Sequence, residues 1–148
     1  MNRAFATCGR KLSEADIIKL EEVTGVRVPP EYRMFLLRTN GGRLRVPYEV
    51  PLPSCFGDEI EDFYSIDHDI ECLDVAKSWA CLGNYTSKGL LPIASSIANS
   101  LVCIDTQSKD AIVYLDMSEP LLDDGTKHRW PLAPDLSTLL RNMGIRVQ

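Results

Sequence analysis

Three short apolar runs in the second half of the chain, Leu90 to Ala94, Leu101 to Ile104 and Ala111 to Leu115, do most to limit what it can fold into. Each is rich in branched side chains and is bounded by Ser, Asn, Asp or Lys, the pattern of consecutive buried strands. Asp105 to Asp110, which joins the last two, is short enough for an antiparallel hairpin. A central antiparallel sheet is therefore expected, and the rest of the chain must cover it.

Helical signals stand at both ends. Ser13 with Asp16 three residues on resembles a capping box, and Ile17, Leu20 and Val23 or Thr24 follow at helical spacing until Gly25, which predicts a helix over 13–24. Pro29-Pro30 presets the backbone for a second helix, whose stripe of Tyr32, Phe35 and Leu36 stops at Asn40-Gly41-Gly42. Pro134 and Asp135 open a terminal helix with Leu136, Leu139, Leu140 and Met143 at i, i+3, i+4 and i+7, closed by Gly144. Between these, Leu44, Val46 and Tyr48 alternate with polar or proline residues as a half-exposed strand, placed near a sheet edge by Pro47 before the proline-rich loop 47–53. Phe63 to Ile66 reads as a further strand, and Ile70, Leu73, Ala76 and Ala80 as a helix running to Gly83. The fold class is thus α+β, with no repeat, low-complexity tract or linker to divide 1–148.

The chain's charge is uneven. From Glu49 to Ala76 there are nine acidic residues and no lysine or arginine. Taking those nine from the 21 acids leaves 12 to set against 16 bases, so a formal −5 divides into −9 and +4. A field of one sign selects partners of the other and raises association rates roughly 10- to 1000-fold, with steep salt dependence. The same run also serves as a solvated face that keeps a protein in solution.

At 148 residues with 45% hydrophobic and 25% charged content, the chain needs no disulfide or metal to build a core. No secretory signal is visible and no apolar run approaches membrane-spanning length. The five cysteines, Cys8, Cys55, Cys72, Cys81 and Cys103, are odd in number and match neither a disulfide framework nor a zinc pattern. Free, mostly buried thiols in a reducing cytoplasm are expected.

The N-terminal punctuation carries a resemblance. Ile17, Leu20, Glu21 and Gly25 precede Val28-Pro29-Pro30-Glu31-Tyr32 and Phe35-Leu36, ending in Asn40-Gly41-Gly42. Gly89 to Ala94, Val102 to Asp105, Ile112 to Asp116 and Leu132 to Leu140 follow in order. This pattern resembles the SUKH superfamily, which includes a fungal regulator of cell-wall synthesis and many bacterial immunity proteins. The chain departs from it at Ala98-Asn99-Ser100, where the family usually has a Gly-Asn or Gly-Asp turn, and at Leu136, commonly a phenylalanine. Ala98 is strained if its backbone position needs positive φ.

The resemblance implies a mixed α+β domain that binds proteins and performs no catalysis. Bacterial members commonly neutralise toxins, often nucleases, and a nuclease holds phosphates with Lys and Arg that an acidic protein imitates. On that reading Asp58, Glu59, Glu61, Asp62, Asp67 and Asp69 meet a basic toxin domain, with Trp79 as interface anchor, in the cytoplasm and with no cofactor, metal, nucleic acid or membrane. The alternative within the fold is a regulatory scaffold for an endogenous protein. A third reading is a hydrolase using His68 and Cys72, four apart and able to share one helical face. Against it, such a pair more often is an exposed histidine and a cysteine packed as a small hydrophobe. Asp67, Asp69 and Glu71 lack the spacing of a calcium loop, and Asn40-Gly41-Gly42-Arg43 lacks the ending of a phosphate loop. Arg33, Arg38, Arg43 and Arg45 as a nucleic-acid patch conflict with the net negative charge.

Overall fold

The computed structural model describes residues 3–52, 57–82, 89–118, 122 and 128–146. Cys55, Gly83 and Pro53, which figured in the sequence reading, lie outside them. Two helices come first, α1 (Glu14–Thr24) and α2 (Pro30–Thr39). Strands β1 (Gly42–Glu49) and β2 (Glu59–Phe63) lead through a 3-10 turn at Glu71–Leu73 to α3 (Val75–Leu82). Four further strands, β3 (Leu90–Ser96), β4 (Leu101–Asp105), β5 (Ala111–Leu115) and β6 (Arg129–Ala133), precede α4 (Leu136–Asn142). All six strands form one antiparallel sheet in chain order, so every strand neighbours the next. The edge strands β1 and β6 carry Pro47 and Pro131, which withhold a backbone donor from any strand approaching there.

Strand periodicity of two divides the core. Val102 and Ile104 of β4 and Ile112 and Tyr114 of β5 enter the larger cluster, with Ile17, Leu20, Tyr32, Phe35, Leu36, Leu136, Leu139 and Leu140 from α1, α2 and α4. The alternate residues Cys103, Val113 and Leu115 join Leu82 and Leu90 in a smaller cluster. α3 contributes to both, Val75 to the first and Leu82 to the second. Phe5, Phe35 and Phe63 meet in the larger cluster with ring centroids 5.1–6.0 Å apart, and each such fully buried side chain contributes about 1.5–3 kcal/mol.

Glutamates tie the helices together. The Val28 N–H donates to Glu21 Oε2 at 2.9 Å, which fixes the turn from α1 into α2. Glu31 Oε2 accepts both the backbone N–H and the hydroxyl of Ser137 at 2.7 Å, linking α2 to the first turn of α4. Asn40 is the main junction. It ends α2 in the left-handed region at φ 46° and is 1% exposed. Its Oδ1 accepts the Ile66 N–H at 2.8 Å, while its Nδ2 donates to the carbonyls of Arg10 at 3.0 Å and Ile66 at 3.2 Å. A Cβ on Gly41 would lie 2.2 Å from the Tyr64 carbonyl oxygen, and one on Gly42 1.9 Å from that of Thr7. Asn40-Gly41-Gly42 is therefore the point where the N-terminal segment, α2 and the chain leaving β2 cross in backbone contact.

Four expectations change in detail. The strand read at Phe63 to Ile66 is β2, which lies earlier and keeps only Phe63, because Ser65 leaves the ladder to bridge Asp74 and Ile66 is held by Asn40. The helix read from Ile70 begins at Val75. Asp74 accepts the Lys77 N–H at 3.1 Å and so caps it, and the buried stripe is Val75 and Leu82 with Trp79 half-buried. Val46 is 78% exposed, since the β1–β2 register slips between Arg43 and Tyr48 and breaks the alternation. Ala98 carries no strain, because the left-handed position of that turn, φ 60°, falls on Asn99.

Candidate partner-binding site

β2 decides which of its acids face outward. Ile60 and Phe63 are buried in the larger cluster, and the β2–β3 register shifts between Ile60 and Asp62. That bulge inserts one residue, so Glu61 and Asp62 both turn to the face opposite Ile60 and Phe63, where Glu59 already lies. Glu59 pairs directly with Glu49 of β1, and Asp62 with Arg43. Glu49, Glu59, Glu61 and Asp62 thus share the outer face of the β1–β2 pair.

Their electrostatic states differ. Arg43 Nε donates to Asp62 Oδ1 at 3.0 Å and Arg43 Nη2 to Oδ2 at 3.2 Å, so a two-point pair neutralises Asp62 within the chain. Glu49, Glu59 and Glu61 have no ion pair among the described residues. Like charges directly opposite on neighbouring strands oppose pairing by about 0.2–1 kcal/mol, a cost that an incoming cation relieves.

Asp58, expected beside them at a partner surface, is instead folded inward and 7% exposed. Its Oδ1 accepts the N–H groups of Glu59 at 2.9 Å and Ala98 at 3.2 Å, and its Oδ2 accepts the Tyr114 hydroxyl. The carboxylate pins the start of β2 to the β3–β4 turn and to β5. Asp74 is likewise 6% exposed and takes the N–H groups of His68 at 3.0 Å and Lys77 at 3.1 Å.

The acids beyond β2 form a separate group on the loop into α3. Asp67 Oδ2 lies 2.6 Å from Arg10 Nη2, which also holds Asp16 at 2.8 Å. That guanidinium, helped by the Ser13 N–H, keeps the Asp16 carboxyl well below the usual carboxylate range. Asp69 and Glu71 are exposed, Glu71 with Lys77 only at 4.0 Å. Trp79 is half-buried and packs on the larger cluster. The proposed surface residues therefore fall into two sets, one on the sheet face and one on the loop, rather than a continuous stripe.

His68 and Cys72 do not acquire the helical relation that a nucleophile and base would use. His68 Nδ1 accepts the Ile70 N–H at 2.9 Å within a turn, and Cys72 lies exposed in the 3-10 segment that follows. Among the described residues no three His, Cys, Asp or Glu side chains are grouped to hold a metal ion. Among the described cysteines only Cys103 is buried, where burial pushes its thiol up to about 12 and leaves it a packing group; Cys8, Cys72 and Cys81 are exposed, so the expectation of mostly buried thiols is corrected, Cys72 because it falls in the exposed 3-10 segment rather than on a packed helix face.

Sequence reasoning missed two participants. Glu49 was part of the acidic run but not of the chosen set, because its pairing with Glu59 depends on a register set across a proline-rich loop. Arg43 enters the sequence analysis only as a member of the nucleic-acid patch weighed with Arg33, Arg38 and Arg45, and nothing local pairs it with a residue 19 positions away. No helix among the described residues is long and apolar enough to cross a membrane. The sequence model of the SMI1 / KNR4 family (SUKH-1) matches residues 11–142. Neither curated proteins nor solved structures gave a match.

Proposed function

This chain belongs to the SMI1 / KNR4 family (SUKH-1), and from that premise we propose that it is a non-catalytic immunity protein that neutralises a basic toxin domain. Membership of this family fits a non-catalytic interaction or immunity domain. The observation that carries the finer reading is the outer-face trio Glu49, Glu59 and Glu61, with two of its carboxylates set directly opposite each other and none paired within the described chain. Such a trio presents acceptors to Arg and Lys side chains, the groups with which a nuclease holds phosphate. Pairs formed there are charge-assisted, and the field ahead of them speeds encounter. Asp69 and Glu71 extend the negative surface on the loop. Asp62 and Asp67 serve it less, being already held by Arg43 and Arg10, and Asp58 is an internal anchor.

The test is purification of the tagged protein from its native cells at low and high salt, in parallel with a Glu59→Lys/Glu61→Lys variant. A stoichiometric basic partner, retained by the parent at low salt and lost by the variant, is the expected result. A partner that is acidic, or that survives high salt and binds the variant equally, would favour the scaffold reading and remove the trio from the mechanism.

A further inference from the structure

Residues 3–7 run along the outer edge of β1 as a strap. Phe5 pairs with Leu44 in an antiparallel bridge, the Ala6 N–H donates to the Arg43 carbonyl at 2.7 Å, and the Arg45 N–H donates to that of Ala4 at 2.8 Å. Phe5 is fully buried against Phe35 and Phe63, which fastens the strap to the larger cluster. The strap lies where β1 has least support from β2. Between Arg43 and Tyr48 the register slips, so Leu44 to Pro47 stand where β2 offers only Glu61.

Arg43 borders that slip, opposite Asp62. Its N–H donates to the Thr7 hydroxyl at 3.3 Å and its carbonyl accepts the Ala6 N–H, so both of its main-chain groups point to the strap and away from β2. Residues facing each other in that orientation form a non-hydrogen-bonded pair, in which the side chains stand closest. The guanidinium meets Asp62 at two points, 3.0 and 3.2 Å, although the Arg43 side chain is 57% exposed. Keeping an exposed arginine in one geometry costs side-chain entropy, and that cost falls when its main chain is already fixed.

We infer that the strap is what fixes it: Phe5 and Thr7 are positioning residues that hold the Arg43 main chain, keep Asp62 neutralised and so set how much negative charge the outer face shows. With the strap seated, the face shows Glu49, Glu59 and Glu61. With it lifted, Asp62 joins them. The inference rests on reading that face as the partner-binding surface, and it gives the surface a control built from the N-terminal segment.

The test uses the full chain, with nitrogen relaxation at Arg43 Nε and salt-dependent binding of a capped octalysine peptide. In the parent Arg43 Nε should be as rigid as the backbone, and in Phe5→Ala it should move freely on the ps–ns timescale. Phe5→Ala and Arg43→Ala should each strengthen low-salt binding of the peptide about 2- to 5-fold. The two together should do no more than either alone, since both act through Asp62. Thr7→Val removes the hydroxyl that accepts the Arg43 N–H, at an exposed residue, and should loosen Arg43 with a smaller gain in binding. It decides the matter if Phe5→Ala does not fold. An Arg43 Nε equally rigid in the parent and in the folded variants would overturn the inference, as would gains from Phe5→Ala and Arg43→Ala that multiply in the double variant. The relaxation measurement needs no partner, so failure to recover a basic partner from native cells would sink the sheet-face reading without touching the hold of the strap on Arg43.

Discussion

Asp58 takes hydrogen bonds from two backbone amides and a tyrosine hydroxyl and is 7% exposed, while Glu59, the next residue, turns its carboxylate outward opposite Glu49. The two regions that meet here, an inner set of carboxylates at Asp58 and Asp74 and an outer set at Glu49, Glu59 and Glu61, carry the same charge and do opposite work. Buried carboxylates survive only because donors surround them, so each fixes the chain at one place. Among the described residues the outer ones form no ion pair, and strand register sets where they point. A run of acids in a sequence is thus a mixture of fasteners and surface, and the bare count of nine overstates the surface.

The comparison breaks most severely if the platform under both regions is removed. Gly41→Ala places a Cβ against the Tyr64 carbonyl at a φ of +69° and should cost more than about 4 kcal/mol, read as loss of folded protein in chemical denaturation. Next comes the inner set itself: Asp58→Ala removes the acceptor that two part-buried amides and the Tyr114 hydroxyl share and should destabilise by about 2–4 kcal/mol, with Asp74→Ala similar. If either change proves neutral, the distinction between inner and outer carboxylates is lost.

Between the two regions lies Tyr64, whose phenol burial pushes up to about 12. The unfolded phenol releases its proton near 10, so between those values the folded state binds more protons and stability falls as pH rises. The share of Tyr64 is about 2–3 kcal/mol, read as the difference between the parent and Tyr64→Phe in the loss of stability from pH 9 to 12, to which the buried Cys103 thiol and Tyr32 phenol add their own. Arg43→Ala should cost about 1 kcal/mol, because Arg43 is 57% exposed although Asp62 is only 14% exposed, and by removing the cation from Asp62 it should strengthen salt-sensitive binding of a basic partner. The smallest effect on stability belongs to the outer set. Glu59→Lys should change unfolding free energy by no more than about 0.5–1 kcal/mol, toward greater stability, since it replaces a repulsive pair with Glu49 by an attractive one. The same variant should bind a basic partner more weakly, which separates the role of the surface from that of the fasteners.

Much of the fold was legible because it rests on short-range rules. The capping residues Ser13 and Asp16, the α2 start at Pro30 and the strands β3, β4 and β5 all follow from local propensity and period. What escaped was set by contacts between distant residues. Ile70 has helical spacing to Leu73, yet Asp74 sets the helix start by capping Lys77. Glu61 and Asp62 share a face only because of a bulge against β3, and a period of two would have sent them to opposite sides. At the candidate site the sequence showed the charge but not its orientation. Inward Asp58 and outward Glu59 belong to one run of letters, and only partners some 40 to 56 residues away tell them apart.

Because every strand in this sheet pairs with the one made just before it, each hairpin can close as soon as it leaves the ribosome, and little of the sheet awaits residues not yet synthesised. The last helix is different. Glu31 waits 106 positions for Ser137, and the apolar surface that Leu136, Leu139 and Leu140 cover stays open until then. A chain released short of Asp135 would hold a nearly complete sheet with one uncovered flank. That is the interval in which a nascent copy is most exposed to proteases and to its neighbours on the same message.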